Sequence, residues 1–229
     1  RDVHTERENR ILLNTHTDNE KGNGHGITMS LEKRRAVYNL AKKYKVLILE
    51  DNPYGDLRFH GDYIPCIKSF DEDGIVVYAG TFSKVISPGM RVGYAIAPKP
   101  LLQKMIVCKQ GEDVHTNIWS QMVCEGFLAN YDFDAHLERL REIYRKKSGI
   151  MIREMEKEFS PYITWFPVNG GLFAWCTLPD SINMLDFCKQ AVLRKACVVP
   201  GNTFLTDENE PCQSFRINYS TPTDEQLVK

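Results

Sequence analysis

The stretch of sequence that decides the fold is Gly80-Thr81-Phe82-Ser83-Lys84-Val85-Ile86-Ser87-Pro88-Gly89-Met90-Arg91, which follows an apolar run from Ile75 to Ala79. The apolar run is typical of a buried strand. Lys84 lies among small hydroxyl residues just after this strand, and Arg91 follows seven positions later. Hydroxyls and a cation bind phosphate groups, and a lysine amine that is desolvated or close to another cation becomes a nucleophile. The stretch therefore predicts a site that holds a phosphate and reacts through the Lys84 amine.

The composition is that of an ordinary globular protein. The chain has 229 residues, of which 42% are hydrophobic and 26% charged, enough for one large domain or one and a half. A formal net charge of -1 argues against a nucleic-acid binder, which would carry a basic footprint. No apolar run approaches the roughly 20 residues of a membrane helix. The polar start, residues 1–9, does not resemble a secretory signal, so we expect a cytoplasmic protein without a membrane partner.

Seven cysteines are scattered along the chain and never form a Cys-x-x-Cys pair. Their odd number and irregular spacing argue against a disulfide framework and against a zinc site. We expect reduced thiols, most of them buried, and no metal.

Strands and helices alternate in the first part of the chain. The predicted strands are Ile11–Leu13, Val46–Leu49, Ile75–Ala79 and Val92–Ala97. The predicted helices run from Ser30, as a capping residue, to Tyr44, from Pro100 to about Gln110, and from about Thr116 to Ala129. This alternation predicts an α/β sheet, which binds its ligands at the carboxyl ends of its strands.

The pattern changes after about residue 130. A long charged helix is predicted over 134–159, a length that often links two lobes. The segments beyond it read as short strands around one amphipathic helix at 184–195, which is typical of an α+β lobe. The strands are predicted at 163–166, 172–175, 197–199 and 215–219. We therefore predict one domain over residues 1–130 and a second, with the linking helix, over 131–229.

An enzyme that uses pyridoxal phosphate needs a lysine to form an imine and a carboxylate to keep the pyridine nitrogen protonated. It also needs hydrogen bonds to the ring's phenolic oxygen, and hydroxyls with a cation for the phosphate. Residues that meet these needs follow adjacent predicted strands: Asp51, Tyr54, Thr81, Ser83, Lys84 and Arg91. Each has an ordinary structural interpretation by itself, such as a turn position for Asp51. It is their occurrence together that favours the cofactor site.

Several segments also resemble one known family. The chain is similar to the fold-type-I, pyridoxal-phosphate-dependent aminotransferases of class I/II, in the subgroup with 2-aminoadipate, kynurenine and aromatic aminotransferases. The matching segments are residues 27–35, 49–54, 81–93, 169–175, 199–201 and 215–220. Ser-Lys-x-x-x-Pro-Gly-x-Arg-x-Gly, at 83–93, is the most specific of them. The resemblance implies a large, mostly parallel cofactor-binding domain, partial in this chain, and a small C-terminal α+β domain.

The resemblance also implies roles for individual residues. Lys84 would form the imine and shuttle the proton, Asp51 would hold the pyridine nitrogen, and Tyr54 the phenolic oxygen. The phosphate would be bound by Thr81, Ser83 and Arg91. Arg216 would bind the substrate α-carboxylate, a task that suits the bidentate geometry of a guanidinium. Asn23 would contact the phenolic oxygen, and the protein would be a homodimer.

The beginning of the chain departs from the family pattern. The family usually has an Asn-Pro-x-Gly turn where this chain has Asn23-Gly24-His25-Gly26. The family's N-terminal half also supplies a glycine-rich phosphate loop and an aromatic residue that stacks on the ring, and neither is found before Asp51. A final helix would follow Lys229. We therefore expect a partial chain.

The function that the sequence and the resemblance predict is transfer of an amino group between an amino acid, aromatic or 2-aminoadipate-like, and a 2-oxo acid. The resemblance implies 2-oxoglutarate as that acid and a ping-pong mechanism. Two alternatives stay open. One is a carbon–sulfur lyase that uses the same cofactor. The other is an aminotransferase-like effector domain of a transcription regulator.

Overall fold

A computed structural model describes residues 10–13 and 28–229. Asn23 therefore lies outside the described residues. The described chain forms two compact units. Unit 1 contains Met29–Asp56 and Asp62–Leu137, and unit 2 contains Leu57–Gly61 and Glu138–Lys229.

A four-stranded sheet forms the centre of unit 1. Its strands are β1 (Arg10–Leu13), β2 (Leu47–Asp51), β3 (Val76–Thr81) and β4 (Gly93–Ile96), in the spatial order β1-β2-β3-β4. The first three strands are parallel, and β4 runs antiparallel to β3. The direction of β4 follows from the short connection over residues 82–92, because parallel neighbours need a crossover of a dozen residues or more. The predicted α/β class, with a mostly parallel sheet, is confirmed.

Helix α1 (Leu31–Tyr44) packs on this sheet. Ser30 is its N-cap, as predicted, and its hydroxyl accepts a hydrogen bond from the Lys33 amide at 3.3 Å. The helix contributes Tyr38 and Ala41 to a buried cluster that also contains Ile48 of β2. This packing fixes the strand whose carboxyl end carries Asp51.

Three further helices complete the α-helical part of the chain up to residue 158: α2 (Lys99–Glu112), α3 (Ile118–Asn130) and α4 (Phe133–Glu158). The ends of each helix lie within two residues of their predicted positions. Helix α4 contributes to both units, because the division between them follows Leu137.

Unit 2 contains a second, antiparallel sheet with the order β5-β6-β8-β7. Its strands are β5 (Thr164–Trp165), β6 (Phe173–Thr177), β7 (Val199–Pro200) and β8 (Ser214–Asn218), and its helices are α5 (Met184–Leu193) and α6 (Asp224–Leu227). Met151 and Met155 of α4 share a core with Cys176, Phe215 and Tyr219. The predicted α+β character is therefore observed.

The cysteines are all free thiols, but the expectation that most are buried is wrong. Cys124, Cys176 and Cys188 are buried, and the exposed pair is Cys108 and Cys197. Cysteine spacing does not predict which cysteines are buried, because neither α2 nor the loop at residue 197 has a strong apolar periodicity that would mark a buried face.

No helix of the described chain is long and apolar enough to cross a membrane. Within residues 28–229, no three metal-binding side chains cluster.

Candidate functional site

The lysine loop begins where β3 ends. The Phe82 carbonyl accepts hydrogen bonds from the Ile86 amide at 2.8 Å and from the Ser87 amide at 3.1 Å, so the chain turns tightly around Lys84. Val85 is buried and anchors the loop. Its carbonyl lies 2.7 Å from Nε2 of His136, at the start of α4. The turn leaves the Lys84 side chain partly buried beside the end of the strand.

Two hydroxyls and a guanidinium form a cluster next to this loop. The Ser83 amide donates to Oγ1 of Thr81 at 3.1 Å, and the two hydroxyl oxygens lie 3.0 Å apart. Nη1 of Arg91 donates to Oγ of Ser83 at 3.2 Å and to the Pro88 carbonyl at 3.1 Å. The structure thus brings together the three residues that the sequence assigns to the phosphate.

Asp51 and Tyr54 lie at the carboxyl end of β2. Asp51 is the last residue of that strand and pairs with Ala79 of β3. Burial raises the pKa of the Asp51 carboxyl above its usual range. Nζ of Lys84 lies 5.6 Å from the centroid of the Tyr54 ring. The two predicted groups of residues therefore meet at the edge shared by β2 and β3.

Arg216 belongs to unit 2, in β8. The carbon at the centre of its guanidinium lies 4.0 Å from the ring centroid of Phe173 and 4.5 Å from that of Phe204. Two aromatic neighbours fix the plane of a guanidinium. This local geometry is compatible with the binding of a planar carboxylate.

Sequence reasoning missed three polar residues of unit 1. Nδ2 of Asn52 donates to the Tyr78 hydroxyl at 3.1 Å, and the Tyr78 ring lies beside that of Tyr94, with centroids 6.1 Å apart. Asn52 directly follows β2, whereas Tyr78 lies on β3 and Tyr94 on β4, so only the strand register could have predicted that the three residues meet. Asn52 lies between Asp51 and Tyr54 in a segment that resembles the family, but the sequence assigned it no role.

A family model described as aminotransferase class I and II matches residues 21–229. The chain belongs to the class I and II aminotransferases. The resemblance given by the sequence segments is therefore confirmed.

Individual members of this aminotransferase family show how the match is distributed. The chain is 33% identical over 205 residues to aromatic-amino-acid aminotransferase 1 of Thermococcus litoralis, with 90% of this chain and 49% of that protein covered. It is 31% identical over 209 residues to the mitochondrial kynurenine/alpha-aminoadipate aminotransferase of Bos taurus, with 90% and 49% covered. The chain thus spans about half the length of these relatives.

Among solved structures, the chain is similar to a kynurenine aminotransferase of Pyrococcus horikoshii in complex with PMP, with KYN as substrate and KYA as product. The TM-score is 0.88 at 28% identity, and the match covers 96% of this chain and 53% of that one. A relative of another kind is an uncharacterised HTH-type transcriptional regulator of Bacillus subtilis, 28% identical over 198 residues, with 86% of this chain and 40% of that protein covered.

The side chains of unit 1 fit the cofactor that the family implies. Thr81, Ser83 and Arg91 offer hydroxyl and guanidinium donors within hydrogen-bonding distance of one another, a set suited to a phosphate monoester. Asp51 offers a carboxylate, and Lys84 an amine, at neighbouring strand ends. Arg91 has a left-handed backbone with φ 55, an uncommon conformation for a residue with a side chain. Such strain is typical of functional sites.

Proposed function

We propose that the protein acts as a pyridoxal-phosphate-dependent aminotransferase. The observation that carries the proposal is the meeting of Lys84 with Tyr54, next to the mutually bonded Thr81, Ser83 and Arg91. When bound, pyridoxal phosphate supplies a protonated ring that stabilises negative charge at the substrate α-carbon. Everything else in the reaction falls to the chain's own side chains.

The hydroxyls of Thr81 and Ser83 and the guanidinium of Arg91 bind the phosphate and so fix the position of the ring. The Asp51 carboxylate pairs with the pyridine nitrogen and holds its proton. Because burial disfavours the charged form of Asp51 in the protein without a cofactor, a cationic nitrogen beside it is a favourable partner. The Tyr54 hydroxyl donates to the phenolic oxygen.

Lys84 is the residue that moves protons. Its Nζ would hold the cofactor in the resting protein. When the amine of Lys84 is free, it would accept the proton from the substrate α-carbon and return it on the cofactor side. We assign the substrate α-carboxylate to Arg216, on the resemblance and on the two rings that orient its guanidinium.

The relatives support an aromatic or 2-aminoadipate-like amino donor, and we propose 2-oxoglutarate as the acceptor in a ping-pong reaction. We also infer a cytoplasmic homodimer. Light scattering on the purified protein would measure the mass of the assembly.

The experiment that tests the function is a transamination assay with phenylalanine, kynurenine or 2-aminoadipate as donor and 2-oxoglutarate as acceptor. Lys84→Ala should lower the rate by at least about 10²-fold, since a positioned acid–base group contributes that much. Lys99→Ala, at the start of α2, is the matched control and should keep the wild-type rate. Parallel lines in double-reciprocal plots are expected for the ping-pong order. Wild-type turnover by Lys84→Ala would refute the scheme. In a separate assay with an S-substituted cysteine, release of a thiol together with pyruvate and ammonia would indicate the lyase instead.

The regulator is the second candidate, and the similarity to the Bacillus subtilis protein favours it. An effector domain of that kind would bind the cofactor through Lys84 without turnover of any amino donor. Cofactor binding with no detectable transamination would therefore support the regulator.

A further inference from the structure

The side chain of Asn52 holds the turn that carries Asp51 and Tyr54. Oδ1 of Asn52 accepts the Gly55 amide hydrogen at 3.0 Å, which closes the turn in the manner of an Asx-turn. Nδ2 of the same side chain donates to the Tyr78 hydroxyl at 3.1 Å. One amide group thus joins the turn to the neighbouring strand β3.

The turn is closed tightly around this amide. A Cβ atom added to Gly55 would lie 2.4 Å from Nδ2 of Asn52, closer than real Cβ contacts come. The backbone of Asn52 is fixed as well, since its amide donates to the Ala79 carbonyl at 2.9 Å. The Asn52 side chain is therefore locked between Gly55 and Tyr78.

The anchor on β3 is itself supported from β4. Burial, first of all, raises the pKa of Tyr78 far above its usual range, so its hydroxyl stays neutral and keeps its proton. The rings of Tyr78 and Tyr94 lie side by side, with their centroids 6.1 Å apart. The Tyr94 ring lies across Gly80, its register partner, where a Cβ would come within 2.3 Å of Cζ of Tyr94. The absence of a side chain at Gly80 allows this crossing.

We propose that Asn52 is a positioning residue, which sets the Asp51 carboxylate and the Tyr54 hydroxyl toward the cofactor by fixing the turn between them and tying it to Tyr78. The inference rests on the proposed function, because it concerns the residues that hold the cofactor. Asn52 itself contacts the turn and β3 and needs no contact with cofactor or substrate to act.

Two substitutions separate this role from simple loss of structure. Asn52→Ala removes both side-chain hydrogen bonds. Asn52→Asp keeps an oxygen for the Gly55 amide and offers a second oxygen to the Tyr78 hydroxyl, which can donate to it. Asn39→Ala, on the exposed face of α1, is the matched control for the loss of an asparagine.

The first readout needs no cofactor. Hydrogen exchange of the Gly55 amide should be at least about tenfold faster in Asn52→Ala than in wild type, and close to wild type in Asn52→Asp. The second readout uses pyridoxal phosphate. Asn52→Ala should raise the dissociation constant of pyridoxal phosphate by about tenfold and should shift the pH midpoint of the bound cofactor's absorbance change. Asn52→Asp should restore both values.

The outcomes distinguish this inference from the proposed function. If the wild type binds pyridoxal phosphate and Asn52→Ala binds it with unchanged affinity and pH midpoint, the positioning role is refuted while the proposed function stands. If the wild type binds none, the proposed function and the positioning role fail together. Should Asn52→Ala lose its cooperative urea transition, Tyr78→Phe removes only the anchor on β3, and wild-type cofactor binding by that variant would likewise refute the role.

Discussion

At the scale of the residue, the Asp51 carboxylate serves the proposed function but lowers the stability of the folded protein. Its carboxyl lies at the end of β2, where burial raises its pKa. A carboxylate that pairs with a pyridine nitrogen must be charged at neutral pH, yet the surroundings disfavour that charge. Functional residues often carry such a cost, which a neutral side chain would avoid.

Asp51→Asn should therefore make the protein without cofactor more stable at neutral pH, by about 0.5 kcal/mol at most, because solvent screens the charge of a carboxyl that is only partly buried. Because the folded-state pKa of Asp51 lies above its unfolded value, the wild type keeps its full stability below the unfolded pKa and loses part of it as the pH rises through the folded pKa. The advantage of Asp51→Asn should thus appear above the usual pKa range of aspartate and vanish below it. Urea denaturation of the variant and the wild type from about pH 3 to about pH 8, limits that lie on either side of that range, measures the difference in their free energies of unfolding.

The same substitution should lower any transamination rate by about 10²-fold or more, because an amide cannot hold the nitrogen proton as a carboxylate does. Asp62→Asn, at an exposed position, is the control. A variant that loses stability at every pH while keeping activity would contradict this account of Asp51.

At the scale of the element, Glu50 joins three parts of unit 1. Its side chain is fully buried and accepts the Ile67 amide at 2.7 Å and the Lys68 amide at 2.8 Å, at the start of a short 3-10 helix. Arg34 of α1 lies 3.8 Å from the same carboxylate. The Arg34 guanidinium also donates hydrogen bonds to the carbonyls of Met29 and Pro65. The end of β2, which presents Asp51, is therefore held by buried polar contacts as well as by apolar packing.

Glu50→Ala should cost roughly 3–5 kcal/mol of folding free energy, because it leaves two backbone amides without their acceptor and a buried guanidinium without its counter-charge. Glu50→Gln, which keeps one acceptor oxygen, should cost less. Glu72→Ala, at an exposed position nearby, should change little. Urea denaturation of the three variants gives the values. A loss below about 1 kcal/mol for Glu50→Ala would contradict the role assigned to this carboxylate.

How far the sequence predicts this protein depends on the distance over which each feature is encoded. The strand, loop and arginine around Lys84 are contiguous, so one motif predicted that Thr81, Ser83 and Arg91 lie together. We call these three residues the phosphate cluster after the role that we propose for them. The bonds of Asn52 to Tyr78 depend on the register of two strands, which no local pattern encodes. The antiparallel direction of β4 was implicit in the short loop before it. The burial of individual cysteines depends on tertiary packing alone.

At the scale of the whole molecule, each unit carries a different part of the proposed chemistry. Unit 1 holds the lysine, the phosphate cluster and the carboxylate, and unit 2 holds Arg216 between its aromatic neighbours. The single match to the class I and II aminotransferases, over residues 21–229, includes parts of both units. The central claim, that this chain attaches pyridoxal phosphate, depends on unit 1 and can be measured on the purified protein.

The measurement that tests this claim most directly is attachment of the cofactor to a lysine. The protein is mixed with pyridoxal phosphate and treated with borohydride, which makes a lysine–cofactor linkage permanent, and the labelled peptides are then mapped by mass spectrometry. The account predicts one labelled residue, Lys84, with no label in Lys84→Ala and an unchanged label in Lys99→Ala. Absence of a label, or a label spread over surface lysines that persists in Lys84→Ala, would contradict it.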